Sequence, residues 1–361
     1  MVRKIRKAAV IGSGIMGGGI AALLAGAGVK VLLLDIVPFD LKDEEKNDPA
    51  ARNRIVKAGL DAALASSPSL FFNKKDAALI SIGNLDDDIE KLADCDWIVE
   101  VVVERLDIKR NLFEKVEKIR KPGAIVSTNT SGIPLQDITE GFSAEFKQHF
   151  MGTHFFNPVR YMHLLELIPG QDTLPEILGF IAKFGEKNLG KGIVWAKDTP
   201  NFVGNRIGIQ GISAAMRFMQ EDGLTVPEVD AIFGPALGRP KTAIFKTTDL
   251  VGLDIMMHVA KNSYDLCKDD EQRDIMQLPD FVEKMADKNL LGNKTKAGFY
   301  KTELTPEWKK IRKVLNLDTL KYEDLERPTF PCLDAAKKAG TLTEKVNIVL
   351  KADDKAGKFA W

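Results

Sequence analysis

The chain has 361 residues, 45% of them hydrophobic and 28% charged, enough for two or three domains that each bury a core. Its 51 basic residues balance 51 acidic ones, which excludes the global field that gathers nucleic acid or an anionic membrane surface non-specifically. Three scattered cysteines, Cys95, Cys267 and Cys332, lack histidine partners at ligand spacing, which argues against a metal site and for a reduced, cytoplasmic setting. No apolar run nears the roughly 20 residues that span a bilayer, and the basic start leads directly into a strand, so no targeting segment is expected. Ala8–Ile11 is a short, continuously apolar run ending in glycine; a helical pattern follows through Leu24, then a second run, Val29–Leu34. Continuous apolarity suits a parallel strand covered on both faces. Leu41–Arg54 is polar and reads as a solvated loop or helix start. Further strand-like runs lie at Trp97–Val103, Ala124–Ser127 and Phe150–Thr153, with helical segments such as Asp107–Ile119 between them. Alternation of this kind predicts an α/β fold with a doubly wound, mostly parallel sheet over residues 1–197. After Trp195 the patterns at Pro200–Gln220, Val226–Phe233, Val251–Tyr264 and Phe281–Asn289 are helical, which predicts a smaller all-helical domain at 198–302. Residues 303–361, rich in charge and sparse in apolar positions, read as a linker or an appendage.

The turn after the first strand is Gly12-Ser13-Gly14-Ile15-Met16-Gly17, opening an Ala/Leu-rich helix. In that context the glycines serve separate steric ends. Gly12 allows the tight turn, Gly14 lets a pyrophosphate approach the backbone, and Gly17 lets helix pack on strand. This is the dinucleotide-binding fingerprint of a Rossmann-type domain. Asp35 closes the second strand, where a carboxylate accepts hydrogen bonds from an adenosine ribose and repels a 2'-phosphate, favouring NAD over NADP. The fold alone also accommodates FAD or a sugar nucleotide.

Around Thr153–Leu167, two apolar runs flank a segment containing the turn-prone Asn157-Pro158, which predicts strand, reversal and returning strand. A reversal centred near Arg160 makes His154 and Glu166 cross-strand neighbours. A carboxylate beside an imidazole fixes its tautomer, as suits a base that takes a proton from an alcohol. His149, His163 and His258 show no such partner and read as ordinary histidines. Ser127–Ser131 follows a strand at the carboxyl edge of the sheet, where ligands of open α/β folds bind, and Lys197–Arg206 leads into the helical domain.

Taken together, the glycine loop, Val103-Glu104-Arg105 with Lys109, Asn129-Thr130-Ser131, His154-Phe155-Phe156-Asn157-Pro158, Glu166 and Lys197-Asp198-Thr199-Pro200 to Asn205-Arg206 resemble the 3-hydroxyacyl-CoA dehydrogenases of fatty-acid β-oxidation, over about residues 5–302. The resemblance implies NAD-dependent oxidation of an L-3-hydroxyacyl-CoA thioester to the 3-oxoacyl-CoA. It assigns His154 as the base activated by Glu166, with Ser131 and Asn205 on the substrate oxygen. It also assigns Gly12, Gly14, Ile15, Met16, Gly17, Asp35, Glu104, Lys109, Ser131 and Asn157 to NAD. Lys294 matches a lysine that reaches the cofactor, but Lys296 stands where the family usually has glycine. No CoA ligands are transferred, because Leu41–Arg54 and Gly238–Asp249 depart from the family pattern. By the same analogy the helical domains pair into a homodimer. Residues 303–361 resemble the connector of fusion proteins that join such a dehydrogenase to an enoyl-CoA hydratase. Two rivals are a β-hydroxyacid dehydrogenase, which relies on a lysine in the helical domain, and a non-catalytic NAD-binding structural protein; His154 with Glu166 speaks against both.

Overall fold

The computed structural model describes residues 3–361. They form two units, the first ending at Val203 and the second running from Gly204 to Trp361.

The first unit is built on strands β1 (Lys7–Ile11), β2 (Lys30–Asp35), β3 (Ile80–Asn84), β4 (Trp97–Glu100), β5 (Ile125–Thr128), β6 (Phe150–Phe155), β7 (Leu164–Pro169) and β8 (Gly192–Trp195). Between them lie helices α1 (Ile15–Gly26), α2 (Pro49–Arg52), α3 (Arg54–Ala65), α4 (Leu106–Ile119), α5 (Leu135–Thr139), α6 (Ala144–Gln148) and α7 (Pro175–Asn188). The strands join one sheet in the order β3-β2-β1-β4-β5-β6-β7-β8, parallel throughout except where β7 meets β6. Strand order reverses between β1 and β4, the crevice where open α/β sheets bind ligands. The central strands are apolar at nearly every position because both faces are covered. Ala8, Val10, Val31 and Leu33 pack with α1, α3 and α7 on one side, while Ala9, Ile11, Leu32 and Leu34 pack with α4, α5 and α6 on the other.

Three details depart from the apolar-run pattern. Strand β3 has no continuous apolar run to announce it, since Ser81 and Gly83 interrupt its sequence, yet it pairs with β2 along its whole length. Strand β4 stops at Glu100 instead of Val103, and β6 continues to Phe155 instead of stopping at Thr153. The polar stretch Leu41–Arg54 holds a single 3-10 turn, Asp43–Glu45, and the short α2, whose first turn is capped by Asp48.

The second unit contains α8 (Gly204–Glu221), α9 (Val226–Ile232), α10 (Phe245–Val251), α11 (Leu253–Leu266) and α12 (Asp280–Asp287). Three antiparallel strands follow, β9 (Tyr300–Leu304), β10 (Lys310–Asn316) and β11 (Lys321–Asp324), then α13 (Pro331–Lys337), α14 (Leu342–Leu350) and α15 (Lys355–Ala360). Leu315, Phe330, Leu333, Val349 and Ala356 are buried in one cluster with Met216, Val229, Phe245, Val282 and Phe299. The residues after 302 therefore contribute to the hydrophobic core of this unit. Among the described residues, no helix is long and apolar enough to cross a membrane.

Candidate active site

The loop after β1 has the steric form that its glycines imply. Gly12 lies at φ +105°, and a Cβ there would run into the carbonyl of Val101; a Cβ at Gly17 would overlap the carbonyl of Gly12. A Cβ at Gly14 would meet nothing within 4 Å, so the backbone is open to an approaching group. The first amides of α1 have no partner inside the helix and face this open edge with the positive end of its dipole. Ile15 is exposed at the start of the helix, and Met16 packs partly into the core. The buried Ser13 is tied to the end of β2: its amide and hydroxyl donate to Asp35 Oδ2 at 2.6 and 2.5 Å, while Ile36 N donates to Oδ1 at 2.8 Å. Asp35, half-buried, thus fixes the loop as well as presenting its carboxylate at the sheet edge.

Past the ends of β4 and β5 lies a polar network whose centre the sequence does not reveal. Lys109, on α4 and 1% exposed, donates to Glu100 Oε1 and Oε2 at 2.8 and 3.0 Å and lies 3.3 Å from Glu104 Oε2. Glu100 is fully buried and also accepts from Val102 N at 2.6 Å and Thr128 Oγ1 at 2.5 Å. Glu104 Oε1 in turn accepts from Thr130 Oγ1 at 2.5 Å, Ser131 N at 2.9 Å and Gly132 N at 3.2 Å. Burial pushes the Glu104 carboxyl up, but Lys109 and the donors on Thr130 and Ser131 outweigh it and leave it below the ordinary carboxylate range. Asn129 Oδ1 accepts from Phe155 N at 2.9 Å, linking this loop to β6. Sequence reasoning misses Glu100; Thr128 and Thr130 belong to the Ser127–Ser131 cluster that it places at the sheet edge, but their pairing with the carboxylates of Glu100 and Glu104 is not foreseen. The available signal is a lone carboxylate closing an otherwise apolar strand.

Strands β6 and β7 are antiparallel with His154 opposite Glu166, the register that a reversal near Arg160 predicts. Glu166 Oε2 stands 2.6 Å from His154 Nδ1, and Oε1 accepts from Val203 N at 3.0 Å. Both residues are buried, and the imidazole is flanked by Phe156 and Phe202 with ring centroids at 4.4 and 5.7 Å. With Glu166 ionised, the ring proton resides on Nδ1 and Nε2 is the nitrogen left to accept. The reversal is clamped from outside: Lys191 Nζ donates to the carbonyls of Val159 and Met162 at 2.5 and 2.6 Å, and Arg160 to those of Ser69 and Phe71. Asn157 lies exposed on this turn. His149 bonds the Glu145 carbonyl and His258 bonds Asn262, so neither joins the pair.

In the second unit, Asn205 is half-buried in the first turn of α8. Lys294 sits in the 3-10 turn Asn293–Thr295, exposed and ion-paired with Asp254. Lys296 ends that turn at φ +60°, a left-handed conformation that explains why glycine is the usual residue there.

The family model "3-hydroxyacyl-CoA dehydrogenase, NAD binding domain" matches residues 7–199, and "3-hydroxyacyl-CoA dehydrogenase, C-terminal domain" matches 202–302. A probable 3-hydroxyacyl-CoA dehydrogenase from Bacillus subtilis is 47% identical over 369 residues, covering 100% of this chain and 46% of that protein. The chain therefore spans less than half the length of that relative. One of the same description from Deinococcus radiodurans is 49% identical over 298 residues, covering 82% of this chain and 83% of that protein. The crystal structure of (S)-3-hydroxybutyryl-CoA dehydrogenase from Ralstonia eutropha superposes with a TM-score of 0.65 at 27% identity, over 82% of this chain and 98% of that one. The matched first domain is an NAD-binding domain, and its glycine loop leaves the backbone open at Gly14. This chain belongs to the 3-hydroxyacyl-CoA dehydrogenase family of NAD-dependent oxidoreductases.

Proposed function

We propose that the chain oxidises an L-3-hydroxyacyl-CoA thioester reversibly to the 3-oxoacyl-CoA, as a step of fatty-acid β-oxidation. The observation that carries this reading is the buried His154–Glu166 pair across β6 and β7. His154 takes the hydroxyl proton at Nε2 while Glu166 holds Nδ1 and sets a negative charge beside the imidazolium that forms. In the direction of reduction, the same nitrogen returns the proton. The aromatic rings of Phe156 and Phe202 keep water from the imidazole's sides and fix its plane. Bound NAD supplies the hydride acceptor for C3 of the substrate. Gly12, Gly14 and Gly17 with Ile15 and Met16 form the cradle for its pyrophosphate, and Asp35 takes the adenosine ribose. Glu104 and Asn157 are assigned to its remaining length, and Lys109, 1% exposed between Glu100 and Glu104, is assigned to it through Glu104 rather than by direct contact. Ser131, held by Glu104, is assigned to the substrate oxygen and to the cofactor. Asn205 as a second substrate contact, Lys294 as a cofactor contact, pairing of the chain into a homodimer, and association with an enoyl-CoA hydratase rest on the family resemblance.

The test is NADH oxidation on adding acetoacetyl-CoA, comparing the wild type with His154→Ala, with NADH affinity measured separately by fluorescence. The wild type should turn over, and His154→Ala should lose about two to four orders of magnitude in kcat with NADH affinity retained. A variant as active as the wild type removes His154 as the base. A wild type that binds NADH and stays inert removes the substrate class.

A further inference from the structure

The Glu100–Lys109–Glu104 network carries more than a positioning role. Two carboxylates share one ammonium, so the group has a net charge of −1, and its centre is shut away from water: Glu100 is fully buried and Lys109 is 1% exposed. Glu100 closes β4, and the register sets it beside Ile11 of β1, the last residue before the glycine loop, and beside Thr128 of β5, just ahead of Ser131. Val102 N donates to Glu100 Oε1 and Thr128 Oγ1 to Oε2; a glutamine with its amide oxygen toward Val102 N keeps the first bond, and its NH2 can donate to the Thr128 hydroxyl, which accepts as well as donates. A charge in this place is weakly screened and acts over several ångströms.

The sheet order gives that charge a target. Asp35, at the end of β2, marks the adenosine half of the dinucleotide site. In a doubly wound sheet the second mononucleotide half lies across the switch point, at the ends of the strands on the other side of β1. Those strands are β4 and β5, the ones that carry Glu100 and Thr128. The nicotinamide ring is cationic when oxidised and neutral when reduced, so a fixed negative charge on this side discriminates between the two forms.

We propose that Glu100 determines redox-state specificity in the cofactor site: its buried carboxylate gives the Lys109 network a net negative charge, which favours binding of oxidised over reduced NAD. The proposal rests on NAD occupying this sheet edge and is independent of which substrate the chain oxidises. Its readout is equilibrium binding, with NADH titrated by fluorescence and oxidised NAD by competition. In Glu100→Gln the ratio of the oxidised to the reduced dissociation constant should rise about fivefold or more, the scale of one weakly screened charge. The double variant Glu100→Gln/Lys109→Met restores the wild-type net charge and should return the ratio to within about twofold of wild type. A merely structural Glu100 would weaken both forms alike, so an unchanged ratio in Glu100→Gln overturns the proposal, as does a double variant that behaves like the single one. Should Glu100→Gln fail to fold, Glu104→Gln makes the same change of charge at the partly exposed end of the network; a ratio that stays put there overturns the proposal too. A wild type that binds neither nucleotide removes the cofactor site and this proposal together. One that binds both but leaves acetoacetyl-CoA untouched overturns the substrate class alone, and the binding ratio still decides the role of Glu100.

Discussion

An imidazole with a carboxylate on one nitrogen has the other left for chemistry, and this division of labour at His154 makes a prediction about Glu166. Glu166→Gln keeps the size of the side chain but removes the charge that faces the imidazolium, and its amide can offer a donor where Nδ1 needs an acceptor. The expected outcome is a fall in kcat of about a hundredfold or more with the NADH dissociation constant unchanged. Steady-state kinetics with a fluorescence titration checks it, and undiminished turnover would show that the carboxylate only fills space. The His154–Glu166 contact is legible in sequence because antiparallel pairing turns equal spacing about a reversal into adjacency. Lys109 is legible as a family position but not as a buried one: on a charged helix it looks like a solvated base, and the carboxylate hidden at Glu100, with Glu104 beside it, accounts for its burial. Lys296 is visible as a departure from glycine, and its φ of +60° gives the departure a physical meaning.

The elements most legible in the sequence are those whose pattern is set by burial alone. Strands β1, β2 and β5 are covered on both faces and announce themselves, whereas β3 is broken by Ser81 and Gly83 and is recognised by its pairing with β2. Strand β10, Lys-Ile-Arg-Lys-Val-Leu-Asn, interleaves charge with apolar positions, and such a half-exposed pattern resembles a linker until its two neighbouring strands are seen. The turn leading into β9 is fastened to α10 by Asp249, which accepts from Phe299 N and Tyr300 N at 2.8 and 2.9 Å. Burial pushes this carboxyl up to about 6 from an ordinary 3.8. The folded state therefore holds its proton more tightly than the unfolded chain, so the contribution of this group is fully present below the ordinary value and is lost as pH rises through about 6. Urea unfolding at pH 7.5 and at pH 5 should show the stability of the wild type rising relative to Asp249→Asn by on the order of 1–2 kcal/mol at the lower pH. A difference independent of pH would mean that the carboxylate is ionised throughout.

At the scale of the whole molecule, the family match ends at residue 302, but the core of the second unit does not. Phe330, Leu333 and Val349 are buried against apolar residues from before that point, and each such side chain is worth about 1.5–3 kcal/mol when removed from water. A chain ended after residue 302 should bind a hydrophobic dye in its second unit and unfold at least about 5 °C lower than the full chain, as calorimetry would show. An unchanged unfolding temperature would make the later residues a passive attachment. The tie between Ser13 and Asp35 has a consequence of a different kind. A flexible glycine-rich loop ordinarily surrenders conformational freedom when it closes on a nucleotide, and that loss is subtracted from affinity. Here the loop's second residue is anchored by its own amide and hydroxyl to the neighbouring strand, so much of that freedom is surrendered once, during folding, rather than at every encounter with ligand. The carboxylate proposed to take the adenosine ribose is thus also the one that makes the loop rigid before the nucleotide arrives.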